Sequence, residues 1–324
     1  MSEERPNQQP RVFVVLNPAA GKSDPDRIRR VVLEHLKDYA ADHQIYTTTG
    51  EEDLGDVVEG ALEDGFNTVW AAGGDGTVSE TANGLVNSGV PLGVIPAGTG
   101  NTLARDQGIP LDLEPACALL TGRHSTRTID VMKTADRYFL LSVSVGLSAV
   151  MTTYSSRQQK DWMGTLTYII NGIRALVSHS FWPFEVEMDG KTRRYRAAEI
   201  NAANAGIIGF EPIRWGEDVR MDDGRVNLCR ARVRNFWEIF TLAFGVVFRR
   251  QKQLRELTCE PFSDYVEIQS KRAVPVQGDG EDYGTTPIRI DVVPGALDLI
   301  VPAEDDQEGV DLAAMLGERS GGED

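Results

Sequence analysis

The spacing of apolar and polar positions changes character near residue 130. Up to that point, short apolar runs alternate with stretches whose apolar residues recur every three or four positions. RVFVVL (11–16) is a continuous, largely β-branched run and predicts a buried strand. After the loop NPAAGKSDPD, Ile28, Val31, Val32, Leu36 and Tyr39 fall on one face of a predicted helix. HQIYTTT (43–49) predicts a second strand, and DLGDVVEGALEDG the helix after it. NTVWAA (67–72) predicts a third strand and runs directly into GGDGT. Thr77 and Glu80 have capping-box spacing, which predicts a helix from about Val78. PLGVI (91–95) and PAGTGNTLARDQG then repeat the order of strand, glycine loop and helix. Successive βα units predict a parallel, doubly wound sheet with ligands beyond the carboxyl ends of its strands.

Beyond that point the helical period fades. RYFLLSVSV, FEVEMDG, RYRAAEINAANA, RVNLCRARV, DYVEIQS and TPIRIDVV read as strands separated by DG- or NG-type turns. One helix, about Thr165 to Ser178, interrupts them, and another apolar run covers 236–248. The pattern predicts an α/β domain over 10–130 and a β-rich domain, sandwich or barrel-like, over 131–297. A segment at about 298–316 is a candidate to return to the first domain. The polar ends, 1–10 and about 303–324, are expected to be mobile.

Composition narrows the classes. At 324 residues with 41% hydrophobic and 25% charged residues, the chain can support two domains with cores. A formal net charge of −16 argues against nucleic acid as a partner, since a binder carries a basic footprint. It also implies repulsion from anionic lipid at long range, so any membrane contact must be local. Cys117, Cys229 and Cys259 are widely spaced and form no CxxC pair. That spacing speaks against structural zinc and a disulfide framework and for a reducing, cytoplasmic setting. The polar start MSEERPNQQP has no signal-peptide character, and no apolar run reaches transmembrane length.

The strand-to-helix glycine junctions carry the chemistry. Each aims backbone N–H groups and the positive end of a helix dipole at one point, and glycine lets a phosphate approach the backbone. NPAAGKS is not a Walker A loop, because Leu16 stands where that motif needs its first glycine. GGDGTVS is not a Rossmann fingerprint, because Ser79 holds the third glycine position. Three such loops in one α/β half, NPAAGK, GGDGT and PAGTGN, nevertheless point to a nucleotide phosphate chain. Ordinary βα turns use glycine too, so no single loop would suffice.

The set NPAAGK, GGDGTVSETANGL and PAGTGNTLARD resembles the diacylglycerol kinase catalytic-domain superfamily, which includes bacterial soluble lipid kinases and sphingosine and ceramide kinases. TIDVMKTADRYFL, GTLTYIINGIRAL, the DDG at 222–224 and QGDGEDYGTTPIRIDVVPGALDLIVP extend the resemblance from about residue 12 to 302. It implies an NAD kinase- or phosphofructokinase-like nucleotide domain, a β-rich lipid-substrate domain, ATP and Mg²⁺. On the matching positions, Gly73, Gly74, Asp75, Gly76 and Thr77 would bind ATP phosphates. Asn17 and Lys22, Thr48 or Thr49, and Gly98, Thr99, Gly100 and Asn101 would line the nucleotide. Asp279, Gly280 and Glu281 match the family's DGE segment near the transferred phosphate, and Asp130 matches an aspartate facing the cleft between domains. Asp222 and Asp223 match a second, structural Mg²⁺ site, for which a plain DG hairpin turn is the competing reading. The chain departs from the family pattern at Trp215, where a proline loop is usual, and at Ser142, where asparagine is frequent.

A kinase needs carboxylates to hold Mg²⁺ and to accept the proton of the attacking hydroxyl. Asp75 and Glu281 lead for those roles, with Asp130 third. The expected activity is phosphoryl transfer from ATP to a diacylglycerol-like or sphingoid lipid at the membrane surface, by a cytoplasmic protein for which a homodimer is compatible. A kinase for NAD or another soluble acceptor, and a nucleotide sensor without turnover, are the rival readings. FWEIFTLAFGVVFRRQKQLR (236–255) is the most membrane-like stretch, with Arg249, Arg250, Lys252 and Arg255 at its end. A core helix with a solvated basic end is the preferred reading of it, and LTYIINGIRALV (166–177) reads as a core helix rather than a lipid gate. His35, His43, His124 and His179 form no metal or triad pattern.

Overall fold

Continuous apolar runs become strands covered on both faces. In the computed structural model, the described residues are 9–21, 24–150, 182–207, 214–215, 218–231 and 257–303. The expected helices at 165–178 and 236–248, and both chain ends, lie outside them. The chain divides into two units, one up to Thr128 and again from Leu297, the other Ile129–Ala296.

In the first unit β1 (Arg11–Leu16), β2 (Asp42–Thr47), β3 (Thr68–Gly73) and β4 (Leu92–Pro96) form a parallel sheet in the order β2-β1-β3-β4. β3 and β4 are buried throughout, as parallel strands under helices must be. α1 (Pro25–Tyr39) follows β1, α2 (Leu54–Glu63) follows β2, and α3 (Asp75–Asn83) follows β3. α4 (Thr102–Asp106) and α5 (Leu113–Thr121) follow β4. α1 buries Ile28, Val32 and Leu36 against Val12, Val14, Leu16 and Trp70. Asp24 caps it, its carboxylate accepting from the Asp26 N–H. Near its end β16 (Ile288–Val301) adds a parallel partner to β4, with Leu299 opposite Leu92.

The second unit is antiparallel. One sheet holds β5 (Ser125–Lys133), β6 (Tyr138–Phe139), β8 (Trp182–Met188), β9 (Lys191–Ala197), β13 (Tyr265–Ser270) and the start of β16. The other runs β12-β11-β10-β7-β14-β15, from β7 (Ser142–Gly146), β10 (Glu199–Ala203), β11 (Val226–Ala231), β12 (Leu257–Phe262), β14 (Pro275–Gly278) and β15 (Glu281–Thr285). Val143, Val145, Ile200, Ala202 and Leu228 pack against Phe184, Val186, Val266, Ile268 and Ile290 in one core. This is the β-rich sandwich the alternating pattern predicts.

Three expectations change. RYRAAEINAANA is two strands of different sheets, broken at Ala198. α3 starts at Asp75 with Gly74 as its N-cap, three residues before the predicted start. Thr77 therefore lies inside the helix rather than at its cap, and its hydroxyl accepts a hydrogen bond from Asn17. Cys229 and Cys259 are disulfide-bonded, against the expectation of no disulfide. The β11–β12 register sets them directly opposite across 30 residues of sequence, which spacing alone does not reveal. Among the described residues no helix is long and apolar enough to cross a membrane.

Candidate active site

In the first unit three glycine loops leave the carboxyl ends of β1, β3 and β4 and lock together. Asn17 donates from Nδ2 to the Thr77 hydroxyl at 2.8 Å, and its backbone N–H bonds to Ala72 O. Gly21, with φ +60°, lies so close to the third loop that a Cβ would stand 2.2 Å from Ala97 O. A Cβ on Gly98 would meet the Gly74 Cα at 2.5 Å, so these two loops touch backbone to backbone. Asn101 folds on itself, its side chain accepting from Gly98 N and donating to Gly98 O, both at 3.0 Å.

Asp75 sits in the first turn of α3, and its carboxylate is engaged by the start of α4. It accepts from the Thr102 N–H at 2.6 Å, the Leu103 N–H at 3.3 Å and the Thr102 hydroxyl at 3.3 Å. Burial pushes its carboxyl above the usual range, and these hydrogen bonds oppose the shift. The side chain therefore bolts the GGDGT turn to the third loop. The first N–H groups of α3, which lack partners within the helix, open at the same junction. Thr48 is buried, and Thr49 is tied through its N–H and hydroxyl to Glu52, whose carboxyl these bonds hold down at about 2. Lys22 lies outside the described residues.

In the second unit the DG turn between β14 and β15 is built by strand pairing. Asp279, at φ +49°, accepts from Leu140 N and Leu141 N at 2.8 Å and from Ser142 N at 3.0 Å. Its own N–H returns to Ser142 O. Glu281, the next carboxylate, is half-exposed and meets Arg137 at 3.2 Å. Tyr283 reaches the β5–β6 turn, bonding Asp136 and lying 2.6 Å from the Thr134 hydroxyl.

Asp130 is buried, and its two oxygens accept from Gly224 N at 2.7 Å and Gly295 N at 2.8 Å. Asn204 completes this frame, donating to Asp130 O and Leu140 O, both at 2.8 Å. Asp222 pairs with Arg220 at 2.9 Å, and Asp223 accepts from Arg225 N at 3.1 Å. Among the described residues no third carboxylate joins this pair, and no group of three His, Cys, Asp or Glu could hold a metal. Mg²⁺ takes carboxylate oxygens. Glu281 is held by an exposed ion pair alone, whereas Asp75, Asp130 and Asp279 each accept from two or more backbone N–H groups, so Glu281 is the freest of the four to turn toward such an ion.

Sequence reasoning passed over Arg137, Asn204 and Glu199. Glu199 is buried on β10, where Ser148 N at 3.0 Å and the Ser148 hydroxyl hold its carboxylate. A lone acidic residue among small, buried ones in AAEINAANA was its available signal.

An α/β unit with three glycine loops meeting at a helix N-terminus, followed by an antiparallel sandwich, defines a phosphate-handling class of fold. Residues 11–134 match the diacylglycerol kinase catalytic domain, and 141–301 match the YegS C-terminal NAD kinase beta sandwich-like domain. The chain belongs to this diacylglycerol kinase family, among phosphotransferases that take an alcohol group as acceptor. It is 28% identical over 287 residues to a diacylglycerol kinase of Staphylococcus carnosus, covering 86% of this chain and 90% of that one. A diacylglycerol kinase of Staphylococcus aureus is 28% identical over 303 residues, with 90% and 92% covered. The crystal structure of a Bacillus anthracis diacylglycerol kinase superposes with a TM-score of 0.67 at 19% identity, covering 92% of this chain and 98% of that one. At that identity the superposition speaks for the fold.

Proposed function

We propose that the protein is a lipid kinase that transfers the γ-phosphate of ATP, with Mg²⁺, to a hydroxyl of a diacylglycerol-like or sphingoid lipid. The observation that carries this reading is the interlocking of the three glycine loops around the N-terminus of α3. There, backbone N–H groups and the helix dipole bind phosphate oxygens. Asn17 and Asp75 keep the loops in register, so the N–H groups are oriented before nucleotide arrives. Asp279 fixes the hairpin from which Glu281 projects. Glu281, half-exposed and not bonded by backbone N–H groups, is the candidate to take the hydroxyl proton or to hold the cation, while Asp130 supports the frame of its own unit. Mg²⁺, when bound, neutralises charge on the phosphates. The lipid acceptor is supported by relatives named diacylglycerol kinase that align over most of the chain. The enzyme meets its lipid acceptor at the membrane surface.

The test is transfer of labelled phosphate from ATP, with Mg²⁺, to detergent-dispersed diacylglycerol, ceramide and sphingosine, with NAD as a parallel acceptor. Label in a lipid, lost in Glu281→Gln, is the expected result. Label in NAD alone would move the assignment to a soluble acceptor. ATP binding with no transfer to any of these acceptors would leave the sensor.

A further inference from the structure

One surface of the second unit runs against the charge of the whole chain. The formal net charge is −16, so an anionic membrane repels the protein at a distance. Contact with such a membrane therefore requires a local cationic surface. The three neighbouring strands β9, β8 and β13 have two unlike ends. Glu187, Asp189, Asp264 and Glu267 gather at the turn end, with Lys191 as the cation among them. At the other end stand Arg194, Arg196, Lys271 and Arg272, all exposed. Register explains the grouping, since Arg194 lies opposite Glu185, Arg196 opposite Pro183, and Ser270 opposite Phe184.

Glu185 is the acidic residue among these cations. It pairs with Arg194 at 2.9 Å, but the two side chains are 48% and 84% exposed, so water screens the pair and Arg194 can exchange partners. Arg196, Lys271 and Arg272 make no ion pair among the described residues. A groove of about 570 Å³ on these strands is lined by Pro183, Glu185, Arg194, Arg196, Gln269 and Lys271, among others, so three cations face one carboxylate there. Trp182 and Tyr195 turn toward the other face of the sheet and pack against the sandwich core, which leaves the cations to face outward. Guanidinium groups match the geometry of lipid phosphates, and a lysine ammonium adds a further cation to the same face.

We propose that this end of the β9-β8-β13 sheet docks the protein on an anionic lipid bilayer, with Arg194, Arg196 and Lys271 taking lipid phosphates. This goes beyond the kinase reading and does not need it, because binding is measured without nucleotide or acceptor lipid.

The experiment is co-sedimentation of the full chain with vesicles of equimolar phosphatidylcholine and phosphatidylglycerol, against vesicles of phosphatidylcholine alone. Wild type is expected to bind the anionic vesicles and to release them as salt rises. Each cation at a membrane surface is worth roughly fivefold in partitioning, so the triple variant Arg194→Ala/Arg196→Ala/Lys271→Ala should bind about 10²-fold more weakly. Its thermal melt should match wild type, since all three side chains are exposed. Arg194→Lys/Arg196→Lys should retain most of the binding. Vesicle binding unchanged in the triple variant, but lost in Arg249→Ala/Arg250→Ala, would overturn the proposal. So would binding of inorganic phosphate without vesicle binding, or self-association in the absence of lipid that the triple variant abolishes.

Discussion

The GGDGT junction of the first unit and the DG hairpin of the second use an aspartate in the same manner but assemble it differently. Asp75 gathers the N–H groups of Thr102 and Leu103, 27 and 28 residues away, across the next βα turn of one domain. Asp279 gathers those of Leu140, Leu141 and Ser142, 137 to 139 residues away, through the pairing of β14 with β7. Asp130 behaves as Asp279 does, with partners 94 and 165 residues distant. An aspartate in a glycine-rich turn is thus first an acceptor for backbone N–H groups. Only after that demand is met can a carboxylate serve chemistry. Glu281, one residue beyond the turn and on a longer side chain, escapes it.

That contrast is broken most directly at Glu281. Its one ion pair is exposed, so Glu281→Gln should leave the melting temperature within a degree or so and lower transfer by about 10²–10⁴-fold, the worth of a positioned acid–base group. Parallel melts and labelled-phosphate assays decide it. An unchanged rate would move the chemistry to an aspartate that the backbone now occupies. The opposite signature belongs to Asp130. Asp130→Ala leaves the N–H groups of Gly224 and Gly295 without acceptors, at about 1–3 kcal/mol each. The expected result is a melt lowered on the order of 10 °C, with nucleotide affinity preserved in protein that remains folded. Calorimetry together with ATP titration tests it.

A third difference lies inside the sandwich. Burial pushes the Glu199 carboxyl from 4.5 to about 7. A carboxyl raised in the folded state holds its proton while the unfolded chain has already lost it. The native protein therefore binds more protons between those values, and stability falls as pH rises through that window. The loss amounts to roughly 3 kcal/mol for a shift of this size. Glu199→Gln cannot ionise, so its melting temperature should fall less than that of wild type between pH 5 and pH 8. Equal slopes for the two proteins would show that Glu199 is charged in the folded state throughout.

The parts that could be read from sequence are those with local causes. Strand and helix periods in the first unit, and the three glycine loops, follow from residues adjacent in the chain. The start of α3 did not, because capping-box spacing at Thr77 and Glu80 says nothing of Asn17, 60 residues upstream, which engages the Thr77 hydroxyl. In the second unit the strands were legible but their register was not. The disulfide of Cys229 with Cys259, the break at Ala198, the clasp on Asp279 and the cationic end of β8 and β9 all depend on which residues stand opposite. Alternation fixes the buried face of a strand and leaves its partner open.

Asp75 gives the smallest effect and the finest test of the comparison. The sequence makes it a leading catalytic residue, whereas the geometry makes it a bolt between two glycine loops. A base acting on the transferred group would appear in kcat, because its interaction exists only in the transition state. A bolt would appear in nucleotide binding, because it sets the loops before chemistry begins. Asp75→Ala removes the acceptor of a 2.6 Å bond from Thr102 N in a partly buried position, worth about 1–3 kcal/mol. The expected outcome is a KM for ATP raised about tenfold, a melt a few degrees lower, and a smaller change in kcat. Asp75→Asn keeps one oxygen toward Thr102 N and should recover most of the affinity. If Asp75→Asn instead restores ATP binding while kcat stays about 10²-fold down, the carboxylate acts on the reaction itself. The likeness between the two turns would then end at their shape.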